Sequence, residues 1–164
     1  MQKISPNEII PCVENALKEG KRNILFVSCA LCHYEQIPDW AAENPQYRLI
    51  RHTPQPVWEE KNGLLFKNEA RFAIGHNVLT QANSENAIWF LHGFSQESLY
   101  DFEGFLNILK GRFYNEGLAD GGFRRCDLEK LPLFAAFTAP YEEGDWSALD
   151  PKYYDLFDAV YTLD

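Results

Sequence analysis

Positive charge is scarce in this chain: 15 Lys plus Arg stand against 24 Asp plus Glu, for a net charge of -9. Such a balance repels a nucleic-acid backbone or an anionic membrane at long range, so neither is expected as a partner. Long apolar runs are missing too, and none approaches the roughly 20 residues that a membrane-spanning helix needs. The start, Met1-Gln-Lys-Ile-Ser-Pro6, has no apolar stretch behind its basic residue, so the expected location is the cytoplasm. Cysteine is sparse. The residues at 12, 29, 32 and 126 are too few and too irregular for a disulfide framework, and only the pair at 29 and 32 raises a chemical question.

What is present is the composition of an ordinary globular protein, with 46% hydrophobic and 24% charged residues. The length of 164 residues suits one domain, 1–164, around a core of its own. Ser5-Pro6-Asn7-Glu8 combines an N-cap, a proline in the first turn and a glutamate placed to close a capping box, and Gly20 supplies a stop. Ile9, Ile10, Val13 and Leu17 share one face at helical spacing, which predicts a helix over 6–19. Three continuous apolar runs, Asn23–Ser28, Asn86–Leu91 and Leu133–Thr138, read as strands buried on both faces of a parallel sheet.

Shorter strands are expected at Tyr47–Ile50 and Ala159–Leu163 and helices over 36–44, 77–82, from Ser95 through Lys110, and from Asp150. Residues 52–75, broken by Pro54, Pro56 and Gly63, predict a long loop or small hairpin, and glycines at 117, 121 and 122 predict a protruding hairpin over 113–126. Strands alternating with helices give the fold class: α/β, a three-layer parallel sheet with helices on both faces.

The pieces, in this order, resemble the core of MoxR-like and related AAA+ ATPases, which have the P-loop NTPase fold. Glu14–Val27 looks like the helix, glycine and strand leading into a phosphate loop, Asn86–Leu91 like the strand that ends in paired acids, and Phe94–Arg112 like the helix after it. Leu131–Pro140 is similar to the sensor strand, and Leu149–Asp158 to the segment bearing the arginine finger.

The resemblance also shows what is gone. A phosphate loop needs glycines that turn backbone N–H groups onto the phosphates, a lysine, and a hydroxyl for magnesium. The matching stretch, Ser28-Cys29-Ala-Leu-Cys32-His33-Tyr34-Glu35, has no glycine, puts Tyr34 at the lysine position and sets the negative Glu35 at the hydroxyl. His92 and Gly93 replace the paired acids, Thr138 the sensor asparagine and Leu156 the finger arginine. Without them neither the metal, the general base nor the charge-stabilising cation of phosphoryl transfer is supplied. The family continues into a helical lid beyond the position that is here Asp164, so the expectation is a core without lid.

Other constellations each have a blander reading beside the functional one. Cys29-Ala-Leu-Cys32-His33 matches a haem-attachment string, but that chemistry requires export. The same two thiols could form a redox pair, since a cysteine at a helix N-terminus has a lowered pKa. A zinc site would need Cys126 or a histidine to join them, and no second paired motif suggests it. His92 stands at a strand end, where α/β sheets hold their ligands, although a lone histidine there is more often a packing residue. Trp58 and Trp146 fall in expected loops and could anchor a partner or tuck under their own loops. Glu142, Glu143 and Asp145 read as a solvated acidic loop.

The resulting expectation is a pseudo-ATPase with no cofactor and no bound metal, acting as a protein-interaction or regulatory module on itself or an AAA+ subunit. A thiol redox protein using Cys29 and Cys32 is the alternative.

Overall fold

A computed structural model describes residues 1–27, 36–52, 57–61, 64–68, 87–99 and 101–163. Its centre is a six-stranded sheet built from β1 (Gln2–Ile4), β2 (Asn23–Val27), β3 (Arg48–His52), β6 (Ala87–Leu91), β9 (Leu133–Thr138) and β10 (Ala159–Leu163). The spatial order is β1-β10-β2-β9-β6-β3, and every neighbouring pair is parallel. Two antiparallel hairpins stand apart from it, β4 (Val57–Lys61) with β5 (Leu64–Asn68), and β7 (Phe113–Gly117) with β8 (Phe123–Asp127).

The three apolar runs became the middle of the sheet because they have no polar face to give to solvent: every residue of β2, β6 and β9 is buried. Successive side chains then feed two cores. Ile24, Phe26, Ile88, Phe90, Ala135 and Phe137 meet α1 (Ile9–Lys18) and α2 (Gln36–Glu43) on one face. Leu25, Val27, Trp89, Leu91, Phe134 and Ala136 meet α3 (Phe102–Gly111), Leu149 and Phe157 on the other.

Rings carry much of this packing. Phe26 stacks between Phe137 at 4.7 Å and Tyr161 at 5.3 Å, and on the far face Phe105 meets Phe134 edge-on at 5.3 Å. Each such pair adds about 0.5–1.5 kcal/mol to the burial of its area.

Helix α1 follows its local signals. The Ser5 amide donates to the Glu8 carboxylate at 2.8 Å and the Ser5 hydroxyl does so at 3.0 Å, which holds the Glu8 carboxyl below its ordinary value. A short 3-10 turn, Pro6–Glu8, opens the helix, and Pro11 falls in the first turn of the α-helical stretch, where proline is tolerated. At the far end Gly20 takes φ +69°, and Lys21 and Gly20 donate to the Ala16 and Leu17 carbonyls at 2.9 and 3.2 Å, a Schellman stop.

One expectation needs correction. No single helix runs from Ser95 to Lys110: a 3-10 turn at Gln96–Ser98 ends at Leu99, which is extended (φ -113°, ψ 142°) and buried in the core. Asp101 then caps a new helix, its carboxylate accepting the Gly104 amide at 2.8 Å. Two cap residues compete in that stretch, and burial of Leu99 selects the second. The short helix expected from Asp150 is present as a 3-10 helix, Pro151–Leu156, capped by Asp150. The edge strand β1 was not expected at all, since only Ile4 of its three residues is buried. The helix expected at 77–82 lies outside the described residues.

Candidate functional site

In an open parallel sheet, ligands bind beyond the carboxyl ends of the strands, where connections part to opposite faces. Here that point lies between β2 and β9. The connection leaving β2 crosses toward β3 with α2 on one face, and residues 139–158, leaving β9, cross the other way toward β10 with Leu149 and Phe157 on the opposite face.

Of the positions singled out in the sequence, Ser28, Cys29, Cys32, His33, Tyr34 and Glu35 lie outside the described residues; Val27, just before them, pairs in register with Thr138. His92 and Thr138 both stand at the carboxyl edge but on different faces. His92 is 3% exposed, its ring 5.7 Å from that of Phe137 on the α1/α2 side. Thr138, 1% exposed, accepts the Leu149 amide at 2.8 Å on the α3 side. Gly93 makes the exposed turn between β6 and the following segment at φ +58°, a conformation that favours glycine. Leu156 is at the other end of the sheet, where its carbonyl accepts the Asn23 side-chain amide at 2.8 Å. The length of β2, roughly 13 Å at strand rise, separates it from the carboxyl edge.

Among the described residues, the chain itself takes up three backbone donors at this edge. The Phe94 amide donates to the Phe137 carbonyl at 2.8 Å, and the Asp150 amide to the Gln96 side-chain oxygen at 3.3 Å. Together with the Leu149 bond, these tie the segments after β6 and β9 to one another. An anion-binding crevice needs such N–H groups turned toward the ligand. Among the described residues no group of three or more His, Cys, Asp or Glu is placed to hold a metal ion. Cys12 is buried on α1, where burial pushes its thiol up, and Cys126 is half-buried on β8.

No protein-family model matches this chain, and no curated protein matches it in sequence. Its site must therefore be argued from its own geometry.

Beside the knitted edge lies an open cleft of about 350 Å³, lined by Tyr141, Asp145, Trp146, Asp150, Lys152 and Tyr153, with Gln96 of the segment after β6 closing one side. Trp146 is 69% exposed and Tyr141 40%, although Ala148 and Leu149 two and three residues past the tryptophan are fully buried. The loop is held in shape by its own bonds. Gly144 turns at φ +85°, the Asp145 amide donates to the Glu142 carbonyl at 3.0 Å, and the Ser147 amide donates to the Asp145 carboxylate at 2.8 Å. Asp145 is held below its ordinary value by the hydrogen bonds from Ser147, and Asp150 by the Lys152 amide. Both carboxylates are thus charged at neutral pH, with Lys152 paired to Asp150 at 3.1 Å.

Sequence reasoning picked out Trp146 and the acidic residues beside it, but as separate features. It missed Gln96, Asp150 and Tyr153, which come from two connections 54 residues apart and carry no shared motif.

Proposed function

We propose that this chain is an AAA+-like core that does not hydrolyse ATP and serves as a protein-binding or regulatory module. The observation that carries the reading is the carboxyl edge of β9. The position expected to hold a sensor asparagine is Thr138, and its hydroxyl oxygen accepts the Leu149 amide, so the residue fastens a loop to the strand end and offers no asparagine amide to a phosphate.

The strand arrangement supports the fold part of the reading. The resemblance requires the phosphate-loop, paired-acid and sensor strands to end side by side, and β9 lies between β2 and β6 with Val27 beside Thr138 and Leu91 beside Ala136. The chemistry part is supported by what stands at those ends. His92 and Thr138 face opposite sides of the sheet, and no carboxylate follows β6 where magnesium would be held.

Release of inorganic phosphate from ATP with magnesium tests the reading. The rate should equal that of the buffer blank; a magnesium-dependent, saturable rate that vanishes with the protein would overturn it.

A further inference from the structure

We propose that the cleft beside β9 is a docking site for an arginine-bearing segment of a partner protein, with Trp146 as the stacking surface and Asp145 and Asp150 as the counter-charges. The proposal deepens the reading of this domain as a protein-binding module and rests on it.

A 69% exposed tryptophan leaves apolar area in water, and a partner segment lying over its face would remove that area without new ordering of the loop. The loop is already fixed, pinned at its base by the bond from Leu149 to Thr138 and at its tip by the Asp145 and Ser147 turns. Such preformed aromatic anchors are the residues that carry binding energy in protein interfaces.

Charge then selects the occupant. Residues 141–155 contain Glu142, Glu143, Asp145, Asp150 and Asp155 against the single cation Lys152, which is already paired with Asp150. A guanidinium satisfies both features at once, lying flat on an indole face and donating two parallel hydrogen bonds to a carboxylate. A second copy of this chain, itself at -9, would meet its own charge there. Among the described residues the other strongly exposed aromatic, Phe123 at 77%, sits on a hairpin bearing both signs in paired form, Arg124 with Glu116 and Arg125 with Asp127. The cleft it lines also holds Asp101 and Glu103, but offers a phenyl ring where the cleft beside β9 offers an indole, the better face for a guanidinium.

The test is calorimetric titration of the full chain, at low salt, with an acetylated and amidated Ala-Arg-Ala-Arg-Ala peptide and its glutamate counterpart. The arginine peptide should bind saturably and the glutamate peptide should not. Trp146→Ala and Asp145→Asn should each weaken binding roughly tenfold, while Glu129→Gln, which removes the same charge from an exposed site elsewhere, should leave it unchanged. Added salt should weaken it further. No binding of the arginine peptide, equal binding of both peptides, or equal losses in Trp146→Ala and Glu129→Gln would overturn the proposal. ATP with magnesium, titrated into the same samples, separates the two readings. Magnesium-dependent release of inorganic phosphate from that ATP would count against the non-hydrolysing core without touching the peptide result, and a failed peptide arm would leave the phosphate result standing.

Discussion

Thr138 shows how a residue identified by what it replaces can have a different use in the fold. In the sequence it stood only as a missing asparagine, while in the structure its hydroxyl accepts the amide of Leu149, eleven positions later and wholly buried. Thr138→Val keeps the shape and removes the acceptor, leaving a buried N–H without its partner. The expected loss is about 1–3 kcal/mol, measured as a lower urea midpoint at unchanged slope. Asn23 plays a comparable part at the other end of the sheet, donating to Leu156 and accepting from Asp158 at 2.9 Å. Neither role was legible, because each bond spans a connection whose course the sequence does not announce. Trp146 was legible as a loop aromatic, and it lies exposed just after the turn at Gly144 and Asp145.

Elements were most readable where local and tertiary signals agreed. The capping box at Ser5 and Glu8, the apolar stripe and the Gly20 stop all describe the same helix, and α1 formed within those limits. Gly20→Ala tests the stop. Nothing stands within 4 Å of the added methyl, so the only penalty is the left-handed backbone, worth about 1 kcal/mol. It should appear as a lower thermal midpoint in circular dichroism with an unchanged folded spectrum. Where signals competed, the reading failed. Ser95 and Asp101 are both good caps, and periodicity could not say that Leu99 would be extended to reach the core. The three-residue strand β1 was invisible for the opposite reason, being too short to show alternation, and is defined only by its pairing with β10.

At the scale of the whole molecule, continuous apolar runs sufficed to foretell a parallel sheet with helices on both faces, since only a strand covered twice needs no polar side. The order of the strands was not in those runs. It is set by which connections cross which face, and it places β9 between β2 and β6. That arrangement brings the positions after β6 and β9 to one edge, where the chain closes on itself through Phe94, Leu149 and Asp150. The acidic surplus of the chain adds a long-range penalty for any triphosphate approaching it.

The most direct measurement is a thermal-shift titration of the protein with ATP and ADP in the presence of magnesium. A nucleotide at one hundred times its dissociation constant would stabilise the folded state by about 2.7 kcal/mol, a shift easily seen for a chain of this size. A melting temperature that stays constant across the titration is the predicted result; a saturable rise would contradict the proposed reading of this edge as a degenerate nucleotide site.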